Sequence, residues 1–270
     1  MKKLSLLFAL VAMLCTFEAQ AWGRREHSAV AYIAEQHLTP QAKATVNEIL
    51  DGKSMVYYAT WLDIYKPEML IKLDKEYKGK MERTIPHTFK VTKDLKPRRQ
   101  KSHEALYIIE SSIEQLKNYR DLDDSTRLAA MQCLIHLVGD VHCPGHISYA
   151  DKRDKGIGKF EVTFYKKKAT MHKIWDSLFL GEVVVGGIMD LAYVADRASE
   201  AQIAEIQSGS VREWGQEIID RTKDMIWDVE EGDALGKDYV TKYRDLGLDQ
   251  IQRAGLRLAK VMNDLFGQQQ

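Results

Sequence analysis

The sequence predicts a mainly α-helical fold, a single multi-helix domain carrying one small β-hairpin. Apolar residues recur at three- and four-residue intervals through most of the 270-residue chain. Only residues 159–165, Lys-Phe-Glu-Val-Thr-Phe-Tyr, alternate convincingly with the period of a strand, and they follow Gly156 and Gly158. No repeat, low-complexity tract or long Pro/Gly/Ser-rich linker divides the chain, so residues 22–270 read as one domain.

Residues 1–21 read as a secretory signal peptide. Lys2 and Lys3 give a basic start, an apolar run follows, and Ala19-Gln20-Ala21 forms a small-residue cleavage site. The run is too short and wrongly flanked for a membrane helix, which needs about 20 apolar residues, and no later stretch approaches that length. A lipid anchor on Cys15 is the competing reading, but bulky Met13 and Leu14 stand where such a signal takes small residues. Cleavage after Ala21 makes Trp22 the new N-terminus, and an exported destination, periplasmic or secreted, is expected.

Helical periodicity then runs over 30–37, 40–50, 103–119, 126–142, 169–185, 200–227 and 238–266. Thr39 is an N-cap ahead of Pro40, and Ser125 is a candidate N-cap for the helix over 126–142. Lys166, Lys167 and Lys168 mark the hairpin turn. Lys and Arg total 39, as do Asp and Glu, and losing Lys2, Lys3 and Glu18 leaves the chain close to neutral. That balance argues against tight, nonspecific duplex binding, so any phosphate affinity is local, and the basic loop 93–101 is expected to be solvated. Cys133 and Cys143 lie ten residues apart, about 15 Å along a helix and too far for a disulfide, so both are expected free, with Cys133 a small buried apolar residue.

The chemistry concentrates in the histidines. His136 and Asp140 are four apart, on one helical face, and His172 and Asp176 repeat that spacing. Pro144 ends the first of these helices and turns His146 toward a neighbouring position. With His27, His87, Trp22 and Asp63, the set reads as a multinuclear zinc site assembled from several elements. One such pair is weak evidence, because His-x3-Asp occurs often on helices.

The ordered set of motifs resembles the zinc-dependent S-one/P-one nuclease family, relatives of bacterial zinc phospholipase C, and the resemblance runs through most of the mature chain. The motifs are Trp22-Gly23 with His27, Trp61-Leu62-Asp63, His87, His136-Leu137-Val138-Gly139-Asp140 with His146, and His172-Lys173-Ile174-Trp175-Asp176. The resemblance implies three zinc ions. Asp63, His87, His136 and Asp140 would hold one; the Trp22 α-amino nitrogen and carbonyl oxygen, His27 and a bridging Asp140 a second; His146, His172 and Asp176 the third. It also implies in-line attack on phosphorus by a hydroxide held between the first two ions, with Asp63 orienting it and Lys66 in the place of a phosphate-contacting arginine. Single-stranded nucleic acid and 3′-nucleotides are the implied substrates, and no stable protein partner is implied.

The chain departs from the family around the substrate. His-Gln-Pro-Leu-His becomes His142-Cys143-Pro144-Gly145-His146; Lys66 replaces the bidentate arginine; Thr88 and Lys90 flank Phe89 after His87, where the family usually has an aromatic and an acidic residue; and Gly156-Ile157-Gly158-Lys159 stands for a Gly-Gly-Asn loop. Two alternatives stay open. A phospholipase C-like phosphoesterase would more commonly have Glu at Asp176. A zinc-stabilised, non-catalytic binding protein is the other, set against the cost of keeping unneeded buried carboxylates. His37 and His103 read as surface histidines, His142 as structural or supporting the ligands, and Trp61, Trp175, Trp214 and Trp227 as core.

Overall fold

The computed structural model of the chain describes residues 22–64, 85–99, 104–149 and 160–267. Helices dominate these residues, as the periodicity predicts. In chain order they are α1 (Arg24–Gln36), α2 (Pro40–Ile49), the short turns α3 (Met55–Tyr58) and α4 (Trp61–Ile64), α5 (Ala105–Leu116) and α6 (Asp124–His142). There follow α7 (Met171–Val183), α8 (Ile188–Ala195), α9 (Glu200–Ile206), α10 (Val211–Trp227) and α11 (Lys237–Phe266).

The centre of the domain is α6. Every residue from Ala129 to His142 is buried, the signature of a helix surrounded by other elements rather than lying on a surface. α5, α11, α1 and α2 pack around it. Its N-cap is Asp123, whose carboxylate accepts from the Thr126 amide at 3.0 Å. The expected cap, Ser125, instead sits in the first turn and donates its hydroxyl to Asp123. Both residues can cap, but the carboxylate two positions earlier also meets the positive end of the helix dipole.

Several boundaries differ from expectation for identifiable reasons. α1 begins at Arg24, well before residue 30, because its polar first turn hides the helical pattern while contributing the buried Glu26 and His27. The helix expected over 200–227 is two helices: Gly209 takes a φ of +80° and Ser210 starts α10 with a capping box to Glu213. α7 starts at Met171, capped by Thr170, because Ala169 and Thr170 finish a strand, and it contains a π turn over Ile174–Leu178.

The expected hairpin is β3 (Glu161–Phe164) against β4 (Lys167–Thr170), with Phe164 opposite Lys167. Tyr165 and Lys166 form its two-residue turn with φ of 45° and 68°; Lys167 and Lys168 are strand residues rather than turn. β5 (Ala234–Leu235) joins β3 in parallel. A second, unforeseen pair matters more for the site: β1 (Phe89–Val91) runs parallel to β2 (Ile147–Tyr149), with Phe89 opposite Ile147.

A charged core ties the distal face of α6 to α11. Arg257 is fully buried, donates to the Ile206 carbonyl at 3.0 Å and to His142 Nε2 at 3.0 Å, and pairs with Glu217. His142 Nδ1 donates to the Val138 carbonyl at 2.7 Å, and burial together with the Arg257 cation holds the ring neutral. His142 is therefore structural, one of the two roles expected for it. His37 is not a plain surface histidine: it is half-buried and pairs with Asp196 at 2.9 Å. Trp175 and Trp214 are core, while Trp61 and Trp227 are partly buried at its margin; His103 lies outside the described residues. Among the described residues no single helix is long and apolar enough to cross a membrane.

α1 and α11 meet backbone to side chain at Gly255, where an added Cβ would lie 2.6 Å from Ile33 Cβ and 3.2 Å from the Val30 carbonyl. Gly255→Ala should therefore destabilise the protein by about 1–3 kcal/mol in denaturant titration, the usual range for overpacking. An unchanged or raised midpoint would contradict the packing described.

A candidate metal centre

Six elements deliver the predicted donors to one buried region. His27 lies on the first turn of α1, Asp63 on α4, His136 and Asp140 on α6, and His172 and Asp176 on α7. Cys143-Pro144 ends α6, and the 3-10 turn Pro144–His146 turns His146 back toward Asp140. The β1–β2 pairing brings the two segments carrying His87 and His146 side by side, and the His87 carbonyl accepts from His146 Nδ1 at 3.0 Å.

Asp140 is the hub. Its Oδ2 lies 2.7 Å from His87 Nδ1 and 3.1 Å from His136 Nε2, and its Oδ1 lies 3.3 Å from both His27 Nε2 and His146 Nδ1. Asp63 approaches His136 and His87 at 3.7 and 3.8 Å. A separate group forms beyond His146, whose Nε2 lies 3.0 Å from His172 Nε2 and 3.5 Å from Asp176 Oδ1, with His172 to Asp176 at 3.6 Å. The clusters His27–His136–Asp140 and Asp63–His87–His136 each have donor atoms within 4.8 Å of one another, and so does a set comprising Cys143, His146 and Asp176.

These residues fit cations. His27 Nδ1 is buried without a hydrogen bond, and the buried oxygens of Asp140 and Asp176 Oδ1 are faced by imidazole nitrogens, at 2.7–3.3 Å and 3.5–3.6 Å, that become metal ligands once they give up their protons. The supporting contacts already select the tautomers a metal needs: His136 Nδ1 donates to the Ala59 carbonyl at 2.7 Å and His146 Nδ1 to the His87 carbonyl, leaving each Nε2 turned into the cluster. Without a cation, protons fill the same role. Burial opposes charging His136 and His146, but Asp140 with Asp63, and Asp140 with Asp176, outweigh it, and His146 is raised to about 10. His27, by contrast, is lowered to about 4 by burial and by neighbouring His136. Asp140, despite burial, is held well below the usual carboxylate range by His136, His87 and His146.

The remaining predicted positions divide. Trp22 is buried, and the adjacent Gly23 amide donates to the Asp176 carbonyl, which pins the start of α1 against α7. Lys66 and Lys159 lie outside the described residues. Thr88 is half-buried and Lys90 exposed, while Phe89 between them is fully buried and so offers no face to a ligand. Gly145 packs against the backbone of His172 and the Cβ of Trp175, where its own Cβ would stand 3.2–3.4 Å away, a contact that the leucine usual in the family would crowd. The sequence reading missed two neighbours. Glu26, buried and paired with Arg25 at 3.0 Å, has its carboxyl pushed up by burial, with Asp176 adding to that; Cys143 enters the sequence reading only as a disulfide partner.

Two measurements test this centre. Because the metal-free protein keeps His146 protonated below about pH 10 and a metal takes only the neutral nitrogen, zinc binding near neutral pH should release protons and weaken as pH falls. Titration calorimetry in buffers of different ionisation enthalpy reads this, and identical heats would contradict it. At Gly139 an added Cβ would lie 2.8 Å from His27 Nδ1, so Gly139→Ala should lower bound metal while the His146–His172–Asp176 group keeps its own; full stoichiometry would remove His27 from the centre.

Comparison with known proteins agrees with this arrangement. A family model described as S1/P1 Nuclease matches residues 22–267. Endonuclease 2 of Arabidopsis thaliana is 24% identical over 275 residues, which is 91% of this chain and 91% of that protein. Nuclease S1 of Aspergillus oryzae is 27% identical over 282 residues, 92% of each, and Nuclease P1 of Penicillium citrinum 25% identical over 170 residues, 62% of this chain and 60% of its own. A family match across nearly all of the described fold, together with the histidine–aspartate clusters, means that this chain belongs to the S1/P1 nuclease family.

Proposed function

We propose that this protein is an exported, zinc-dependent phosphodiesterase that hydrolyses single-stranded nucleic acid and 3′-nucleotides. The coarse reading, a nuclease acting on phosphoester bonds, follows from family membership and from relatives named as nucleases and endonucleases. The observation that carries it to this chain is the burial of Asp63, Asp140 and Asp176 side chains among five imidazoles, an arrangement without purpose unless cations enter it.

Three zinc ions are proposed. Asp63, His87, His136 and Asp140 hold the first; the Trp22 α-amino nitrogen and carbonyl oxygen, His27 and Asp140 the second; His146, His172 and Asp176 the third. Bound there, zinc supplies charge to a phosphate and lowers the pKa of water. The chain's own residues do the positioning. Asp140 holds four imidazoles at fixed spacing, and the Ala59 and His87 carbonyls lock the rings of His136 and His146. His27, His136 and Asp140 are wholly buried, whereas the His87 and His172 side chains are 14% and 19% exposed, so a phosphate approaches from their side. Lys66 is proposed to contact it as a point charge, and Asp63 to orient the attacking water.

Export follows from the basic, apolar and small-residue pattern of residues 1–21, which lie outside the described structure. It also gives cleavage a chemical consequence, since the Trp22 nitrogen is a zinc ligand only as a free amine.

The zinc-loaded protein beginning at Trp22 should cleave a single-stranded oligonucleotide, and Asp140→Asn should lower the rate by about a thousandfold or more through loss of two ions. Retained turnover in the variant would contradict the assignment; absence of cleavage by the parent protein would refute the nuclease reading. Extra residues ahead of Trp22 should cost metal and activity together, with unchanged zinc content removing Trp22 from the ligand set.

A further inference from the structure

Cys143 is a free, fully buried thiol whose sulfur lies within 4.8 Å of donor atoms on both His146 and Asp176. The turn that carries it has a particular form. The His146 amide donates to the Cys143 carbonyl at 2.9 Å, closing the turn. The turn brings the side chains of Cys143 and His146, three residues apart, toward one position in space, beside Asp176. Asp176 faces the same space: it is fully buried, and its Oδ1 meets the rings of His146 and His172 only at 3.5 and 3.6 Å, too long for good hydrogen bonds, so a cation among these groups is the partner it lacks. Gly145 permits the approach, because its bare Cα lets the turn rest on the backbone of His172.

We propose that Cys143 is a fourth protein ligand of the third metal, completing a Cys143–His146–His172–Asp176 set and giving that site a soft sulfur donor. The proposal rests on the metal reading above. Binding exchanges one cation for the thiol proton, which leaves to solvent. A thiolate at Cys143 and the Asp176 carboxylate would both be anionic at close range, so the two coexist only around a cation. Four protein donors close a zinc shell more fully than three, and sulfur shifts its preference toward zinc, cadmium and other thiophilic ions and away from magnesium or manganese. In this chain the third ion is thereby retained more tightly than His146, His172 and Asp176 alone would hold it.

Cobalt(II) distinguishes the possibilities by spectrum, without reference to activity. The metal-stripped protein reloaded with cobalt should show visible ligand-field bands and a near-ultraviolet sulfur-to-cobalt charge-transfer band. Cys143→Ser should abolish the charge-transfer band and weaken retention of one ion by at least about tenfold against a chelator, while Cys133→Ser, deep in the core, should leave both unchanged. Cobalt bound with ligand-field bands but no charge transfer in the parent protein would overturn the proposal and leave Cys143 as an unligated buried thiol. No cobalt bound at all would overturn the metal reading itself. Should Cys143→Ser fail to fold, the parent spectrum alone decides, with Cys143→Ala as the second variant.

Discussion

The structure turns on one buried carboxylate. Asp140 is fully inaccessible and lies within 3.3 Å of nitrogens on His27, His87, His136 and His146, which come from three other segments besides its own helix. An ionised group at that depth is costly unless charge of opposite sign surrounds it. Protons on the imidazoles supply that charge in the metal-free chain, and cations do so more completely. The fold thus holds an anion at a place where opposing charge, carried by protons or by cations, must sit beside it.

The rest of the architecture serves that placement. α6 can present Asp140 at the middle of the domain because it is surrounded on all sides, and Arg257, reaching from α11 to His142 and Glu217, fixes its end against rotation. The parallel β1–β2 pair brings His87 to His146, and Gly139 and Gly145 remove side chains where His27 and α7 must come close. Each of these is a packing solution whose chemical consequence lies one or two residues away.

Much of this was legible in the sequence. The i, i+4 pairs His136–Asp140 and His172–Asp176 declare their shared faces, and the Trp-Gly, Trp-x-Asp and His-Leu-Val-Gly-Asp motifs point to one family. The central helix was legible because its apolar residues are continuous. Its cap was misplaced by two residues because Asp123 and Ser125 are both competent caps and only packing chooses between them. The start of α1 was hidden because Arg24, Arg25 and Glu26 carry no apolar signal, although Glu26 is buried. The β1–β2 pairing was invisible because three-residue strands carry too little periodicity, and their partners lie far apart in the chain. Cys143 escaped for a related reason: counted along a helix it is too far from Cys133 to matter, and only the turn at Pro144 reveals its approach to His146.

The most direct test of the account is a crystal structure of the purified protein with anomalous data collected on both sides of the zinc absorption edge. Three zinc peaks are predicted, two of them bridged by the Asp140 carboxylate and the third beside His146, His172 and Asp176. A well-ordered cluster with no anomalous peak at Asp140, its oxygens satisfied by imidazolium protons alone, would contradict the claim that this fold is built around a metal centre.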